Sequence, residues 1–339
     1  MTEPYRILGQ NGSPYSVKIR AIMRYRRLPH VWDQRSARAV KEVEHVKPVL
    51  MPMVRFPSDG AWRVDSTPIA MELEQVHEER SILPSDPAHR FIAHLIEDMA
   101  DEWLTKAMFH YRWHYQHASD YAAYWIASDN TRSGEGAMAK RAEFAKYIQD
   151  RQVGRMPLVG CTPENKTVIE ESMERILHAL ESRVGYESFL FGTRPSIADF
   201  GLFGQLKTII DDPEGRDVAA REAPTAFHWI RHMDDLSGLE GDWFDQDDPL
   251  PAAVTALLRV CGDAYLPFLI ANRDALDSGA DEIRMTIFGE PFAQAPFAYQ
   301  AKCLSRLQSL YRQVPDSGRA RLDRLLEQTN CLKALRNEM

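Results

Sequence analysis

Three short stretches carry residue types and spacings that could do chemistry. In Ser13-Pro14-Tyr15-Ser16 a serine stands where a helix begins and a proline follows, the arrangement of an N-cap and a first helical residue. A helix N-terminus offers unpartnered N–H groups and a positive dipole end, a setting that favours an anion such as a thiolate. The Ser13 hydroxyl can donate a hydrogen bond to such an anion; its plainer reading is a helix cap. Asp65-Ser66-Thr67-Pro68 opens another helix, with a carboxylate and a hydroxyl at its start. Again a simple cap is the alternative. Met51-Pro52 precedes an extended run, where a strand-entry proline is the plain reading.

A fourth stretch, Trp103 to Tyr115, is dense in aromatic rings and reads mainly as core, with an apolar substrate wall near Tyr15 as the rival role. His110 and His114 stand four apart on a helix, but the glutamate of a metalloprotease pattern does not follow the first. They read as packed or solvated histidines. Asp98 and Asp101 read as surface acids, or as acids at a domain interface.

These residues need elements to position them. Tyr5–Gly9 reads as a short buried strand, followed by a Gln10-Asn11-Gly12 turn and a helix ending at Leu28-Pro29. His30–Gln34 is a candidate strand and 37–46 a short helix. Met51–Phe56 and Ala61–Val64 flank Ser58-Asp59-Gly60 as a β-hairpin, and the helix from Asp65 carries Ile69, Leu73 and Val76 on one face. The order is β-α-β-α-β-β-α. Arg80–Pro87 reads as a linker.

Beyond it the periodicity is helical: 88–127, 137–152, 164–184, a helix opened by the capping-box pattern Ser196-Ile197-Ala198-Asp199, and 224–236. The acidic run Glu240–Asp248 reads as a second, solvated linker. Residues 250–339 then give a helix at 252–276 with Pro267 as a kink, an extended stretch in DEIRMTIFGEPFAQ, and helices at 297–313 and 318–335. Their apolar faces, Leu304, Leu307 and Leu310 beside the Leu322–Leu335 stripe, need a partner surface. The division is therefore 1–80, 88–239 and a mainly helical extension, 250–339.

The chain has 339 residues, 44% hydrophobic and 27% charged, with a formal net charge of −8. That composition is ordinary for a soluble globular protein and lacks the basic balance of a general nucleic-acid binder. No signal peptide, and no run of roughly 18 apolar residues as in a membrane span, is read from it. The four cysteines lie without CxxC or metal-ligand spacing, which fits reduced thiols in a cytoplasm.

In their order and separations, these motifs make the first 236 or so residues resemble the glutathione transferase superfamily. Ser13-Pro14-Tyr15-Ser16 resembles the glutaredoxin and omega-type opening with serine at each cysteine position, and serine is the residue of theta- and zeta-type enzymes. Met51-Pro52, then Asp65-Ser66 after the hairpin, resemble the family's cis-proline and its acid-serine clamp. Phe191-Gly192-Thr193-Arg194-Pro195-Ser196-Ile197-Ala198-Asp199 resembles the family's G-x-x-x-S-x-A-D signature.

The resemblance implies an α+β thioredoxin-like N-terminal domain and an all-α C-terminal domain, with the tail beyond about residue 240 outside the usual length. It implies glutathione as co-substrate, no metal, and a hydrophobic electrophile as second substrate. Ser13 is then the catalytic residue. Met51 and the cis Pro52 hold the cysteine backbone, and Asp65 and Ser66 the γ-glutamyl end. Arg38 or Lys41 is the candidate for the glycine carboxylate; Tyr15 and Trp103 face the electrophile. A homodimer is expected on the same ground, with neither nucleic acid nor membrane as a partner. Rival readings are a binding or scaffold protein without turnover, a glutathione-dependent lyase, and a thiol oxidoreductase, the last disfavoured because serines at 13 and 16 cannot form a mixed disulfide.

Overall fold

The computed structural model describes residues 3–34, 41–131, 133–182, 185 and 188–337. Near its start, period-two alternation sorts side chains to the faces of a small mixed sheet. Strands β1 (Tyr5–Leu8), β2 (His30–Asp33), β3 (Met53–Arg55) and β4 (Trp62–Val64) lie in the order β2-β1-β3-β4. β1 runs parallel to β2 and antiparallel to β3, which pairs antiparallel with β4. Tyr5, Ile7, Val54 and Phe56 join the main core with helices α1 (Pro14–Tyr25) and α2 (Ser66–Val76). Leu8 and Met53 point the other way, onto Val43. This is a thioredoxin-like sheet followed by a helical region. Most of the helix expected at 37–46, with Arg38, lies outside the described residues.

The helical region begins with α3 (Pro87–Met99), capped by Asp86, whose carboxylate accepts the His89 N–H at 2.9 Å. The sequence suggests one long helix here. Instead a π-helical turn at Ala100–Leu104 separates α3 from α4 (Thr105–Trp113), and the chain breaks again before α5 (Gln116–Asn130). A π turn inserts a residue and re-aims the following face without needing Pro or Gly, so the sequence gives no warning of it. Helices α6 (Ala137–Val153), α7 (Lys166–Glu181), α8 (Ile197–Ile210), α9 (Pro213–Glu222) and α10 (Pro224–His232) follow. α8 opens with the expected reciprocal capping box. It is buried along nearly its whole length and crosses α1 closely: a Cβ on Gly204 would stand 2.6 Å from the Pro14 carbonyl oxygen.

The acidic run is not a detached connector. Glu240 accepts from Arg27 and Arg80, the latter pair at 2.8 Å, and Trp243 bridges Gly192. The C-terminal segment comprises α11 (Ala252–Val260), a π segment (Cys261–Tyr265), α12 (Leu266–Ser278), a hairpin of β5 (Ile283–Ile287) and β6 (Glu290–Gln294), α13 (Ala298–Gln313), α14 (Asp316–Gln328) and α15 (Leu332–Arg336). The expected helix at 318–335 is thus broken, with Asn330 in the left-handed region at φ 61°. Ala252–Ser278 is long and apolar enough to cross a membrane, but about two-thirds of its most apolar stretch is buried inside the protein, which accounts for that composition.

The segment is bolted down. Asn165 exchanges two hydrogen bonds with the Ala293 main chain (2.7 and 2.9 Å), and Arg321 pairs with Asp86 at 2.7 Å. The Lys106 ammonium donates to Gln294 at 2.6 Å and to the Val159 carbonyl at 3.0 Å, beneath the Trp103 and Phe268 rings. Burial there pushes it down to about 8. All four cysteines are reduced and buried.

Candidate ligand site

The sheet register brings the three motifs to one edge. Leu8 pairs with Met53, and Met53 with Val64. The segments just beyond those residues, 9–13 after β1, 51–52 before β3 and 65–66 after β4, therefore leave the sheet at the same end, where the N-termini of α1 and α2 begin.

At the first of these, Ser13 is partly buried, and its Oγ accepts the Ser16 N–H at 3.3 Å. A hydroxyl that accepts one bond still has its proton to donate. The loop before it is held from the helical region. Buried Arg112 donates to the Gly12 carbonyl at 2.8 Å, to the Thr208 carbonyl at 2.7 Å and to Asp212 at 2.5 Å. Trp125 donates to the same Asp212 at 2.9 Å. Ser16 is fully buried, and its Oγ has no hydrogen-bond partner among the described residues.

The peptide between Met51 and Pro52 is cis. Met51 is partly exposed and Pro52 buried. Asp65 is the N-cap residue of α2 but does not cap it with its side chain. It sits at φ 74°, a conformation that costs a non-glycine residue about 1–3 kcal/mol and clusters at functional sites. Its carboxylate instead accepts the Tyr299 hydroxyl at 3.1 Å. Ser66 beside it is buried. The N–H groups of the first turn of α2 donate no bond to the Asp65 side chain.

Tyr15 is partly buried, and Trp103 lies in the core. The Tyr15 hydroxyl donates to the Asp101 carbonyl at 3.0 Å, and burial with nearby Glu102 and Asp101 holds its phenol far above the ordinary value. Trp103 is core: 2% exposed, bonded to Ser172 at 3.1 Å and packed on Phe268 and Phe292. His110 stacks on His114 and its Nε2 meets Glu170 at 2.9 Å.

Behind the edge lies a buried ionic cluster. Lys18 of α1 contacts Glu97 at 2.5 Å and Asp101 at 2.6 Å, and Thr67 of α2 also donates to Glu97. Arg306 of α13 pairs with Asp98 at 2.5 Å, which also accepts from Tyr265 at 2.6 Å. Asp98 and Asp101 are thus buried rather than surface acids. Burial alone would raise Glu97, but Lys18 and Arg306 outweigh it and hold it low. For Asp101, burial and the neighbouring Glu97 outweigh Lys18 and push it up. Glu102, on the π turn, is driven up to about 8 by burial and by Asp98 and Asp101. Lys18, Glu97, Glu102, Tyr299 and Arg306 are not singled out by the sequence. The one signal available is a lysine and a glutamate inside otherwise apolar helix faces.

No family model and no curated protein matches the chain. Solved structures similar to it include a glutathione S-transferase from Methylobacterium radiotolerans in complex with glutathione sulfonate, at 18% identity and TM-score 0.41, covering 68% of this chain and 91% of that one. A second is a glutathione transferase from Phanerochaete chrysosporium, at 14% identity and TM-score 0.48, covering 69% and 97%. A third, from Rhodospirillum rubrum, has 16% identity and TM-score 0.41, covering 75% and 91%. All three are glutathione transferases.

Proposed function

We propose that this chain binds glutathione along the edge formed by Ser13, Met51-Pro52, Asp65 and Ser66, and activates its thiol for attack on an electrophilic small molecule. The observation that carries the reading is the register Leu8–Met53–Val64, which brings two helix N-termini and the cis-proline to one end of the sheet. In this reading Met51 offers main-chain groups to the cysteine backbone. The Asp65 carboxylate takes the γ-glutamyl ammonium, and the Ser66 hydroxyl with the first N–H groups of α2 takes the γ-glutamyl carboxylate. The thiol then lies at the start of α1. An unperturbed thiol has a pKa of about 8.5, and each unit of lowering corresponds to about 1.4 kcal/mol of preference for the thiolate. The α1 dipole and the Ser13 proton supply that preference. The reaction is attack of sulfur on an electrophilic carbon, with the leaving group departing with the electron pair of its bond.

Titration calorimetry with glutathione tests the binding half. Micromolar to millimolar affinity and a raised unfolding midpoint are expected; no heat and no protection at millimolar ligand overturn the reading. A second reading, binding without turnover, is favoured by one observation: Ser13 already serves as a helix cap. Turnover with an activated aryl halide separates the two.

A further inference from the structure

The contact on Asp65 comes from a part of the chain 234 residues away. Tyr299, Cys303 and Arg306 stand four and seven residues apart at the start of α13, so they share one face of that helix. Cys303 is buried, and Arg306 is anchored on Asp98 at 2.5 Å with Glu97 at 3.6 Å. This face therefore lies on the acidic cluster of α3. The entry to the helix is pinned as well: fully buried Asn272 donates to the Phe297 carbonyl at 3.1 Å and accepts the Phe297 N–H at 2.7 Å. Held at both points, the first turn of α13 carries Tyr299 past α3 to the N-terminus of α2. There its hydroxyl meets a carboxylate that has left its capping position and sits on a strained backbone. Burial and the charges of Asp65 and Glu102 keep the phenol protonated and hence a donor.

We propose that Tyr299 is a positioning residue for the amino-acid end of the ligand: by fixing the Asp65 carboxylate, the C-terminal segment makes the site selective for an α-ammonium. The proposal rests on the glutathione reading above and adds to it a component from outside the thioredoxin-like part. A bound ammonium needs one carboxylate oxygen presented to it; a hydrogen bond to Oδ2 leaves Oδ1 for that role and holds the rotamer against solvation.

The test is calorimetry on the full chain and its Tyr299→Phe variant with two ligands: glutathione, and glutaryl-Cys-Gly, which is glutathione without its α-amino group. Tyr299 is 42% exposed, and phenylalanine keeps its ring, so the fold is retained. The expected result is a glutathione Kd raised about three- to tenfold in the variant, with glutaryl-Cys-Gly changed less than about twofold. An equal loss for both ligands would show that only packing was disturbed and overturns the proposal. So does an unchanged glutathione Kd. Tighter glutathione binding by the variant overturns it too, because the hydroxyl would then be occupying the ammonium's place. Failure of the parent chain to bind glutathione overturns the proposed function, and this inference with it; the three preceding outcomes overturn this inference alone.

Discussion

At the scale of single residues, the reading stands on what Ser13 does beyond capping. Its oxygen accepts one main-chain N–H, and its proton has no acceptor in the cap. If that proton meets a thiolate, Ser13→Ala removes a hydrogen bond to a charged group, worth about 1.5–3 kcal/mol. Turnover should fall about ten- to hundredfold while the glutathione Kd changes little, since the bond matters most where charge is held on sulfur. Steady-state rates beside calorimetric Kd values check this; unchanged turnover would leave Ser13 as a cap only. Glu102 gives a prediction about pH. Its folded pKa, about 8, lies above its ordinary value. The stabilising contribution is therefore fully present below the ordinary carboxyl range and is lost as pH rises through 8. Glu102→Gln, which cannot ionise, should leave stability near pH 5 unchanged and raise it at pH 8.5 by roughly 1–3 kcal/mol. Denaturant unfolding at the two pH values decides it, and an equal effect at both would contradict the assignment.

At the scale of elements, helices are placed by close backbone approaches as much as by apolar stripes. Gly262, in the π segment between α11 and α12, is the sharpest case. An added Cβ would lie 1.8 Å from the Thr329 carbonyl oxygen, at the turn between α14 and α15. Backbone cannot swing aside as a side chain can, so the helices must separate. Gly262→Ala should cost at least about 1–3 kcal/mol and speed proteolysis at the α14–α15 turn before the sheet is attacked. A wild-type cleavage pattern and midpoint would show that these elements are not held as described. The Leu322 and Leu326 side chains buried on α14 then lose their cover, each worth about 1.5–3 kcal/mol when fully buried.

At the scale of the molecule, three parts of the chain meet in one ionic cluster: Lys18 and Thr67 from the sheet region, Glu97, Asp98 and Asp101 from α3 and the π turn, and Arg306 from the C-terminal segment. Burial first, and then the neighbouring carboxylates, push Asp98, Asp101 and Glu102 all up. Lys18→Met keeps the length of the side chain and removes the charge. It leaves Glu97 and Asp101 facing each other in a buried site, and removing one partner of a buried pair costs about 3–5 kcal/mol. Thermal unfolding of the variant should show that loss at pH 7 and a smaller one near pH 4, where the acids take up protons. Equal losses at both values would mean that Lys18 contributes packing alone.

The sequence by itself determined what depends on near neighbours. The Ser13 cap, the Ser196–Asp199 capping box, the period-two strands and the hairpin around Ser58–Gly60 are all set by residues a few positions apart, so their physics is complete within a short window. Residues 13, 51, 52, 65 and 66 were grouped by the family resemblance, and the sheet register is what sets their segments at one edge. Only the tertiary structure decided the rest. The π turn at Ala100–Leu104 interrupts a helix whose periodicity reads as unbroken, and Trp103 is revealed as core by the rings that close on it. The cluster pairs residues 79, 83 and 208 positions apart, and Tyr299 reaches Asp65 across 234. A charge in an apolar stretch is tolerable only if an opposite charge converges on it. Which one does is fixed by how helices pack, and no local pattern along the chain encodes that.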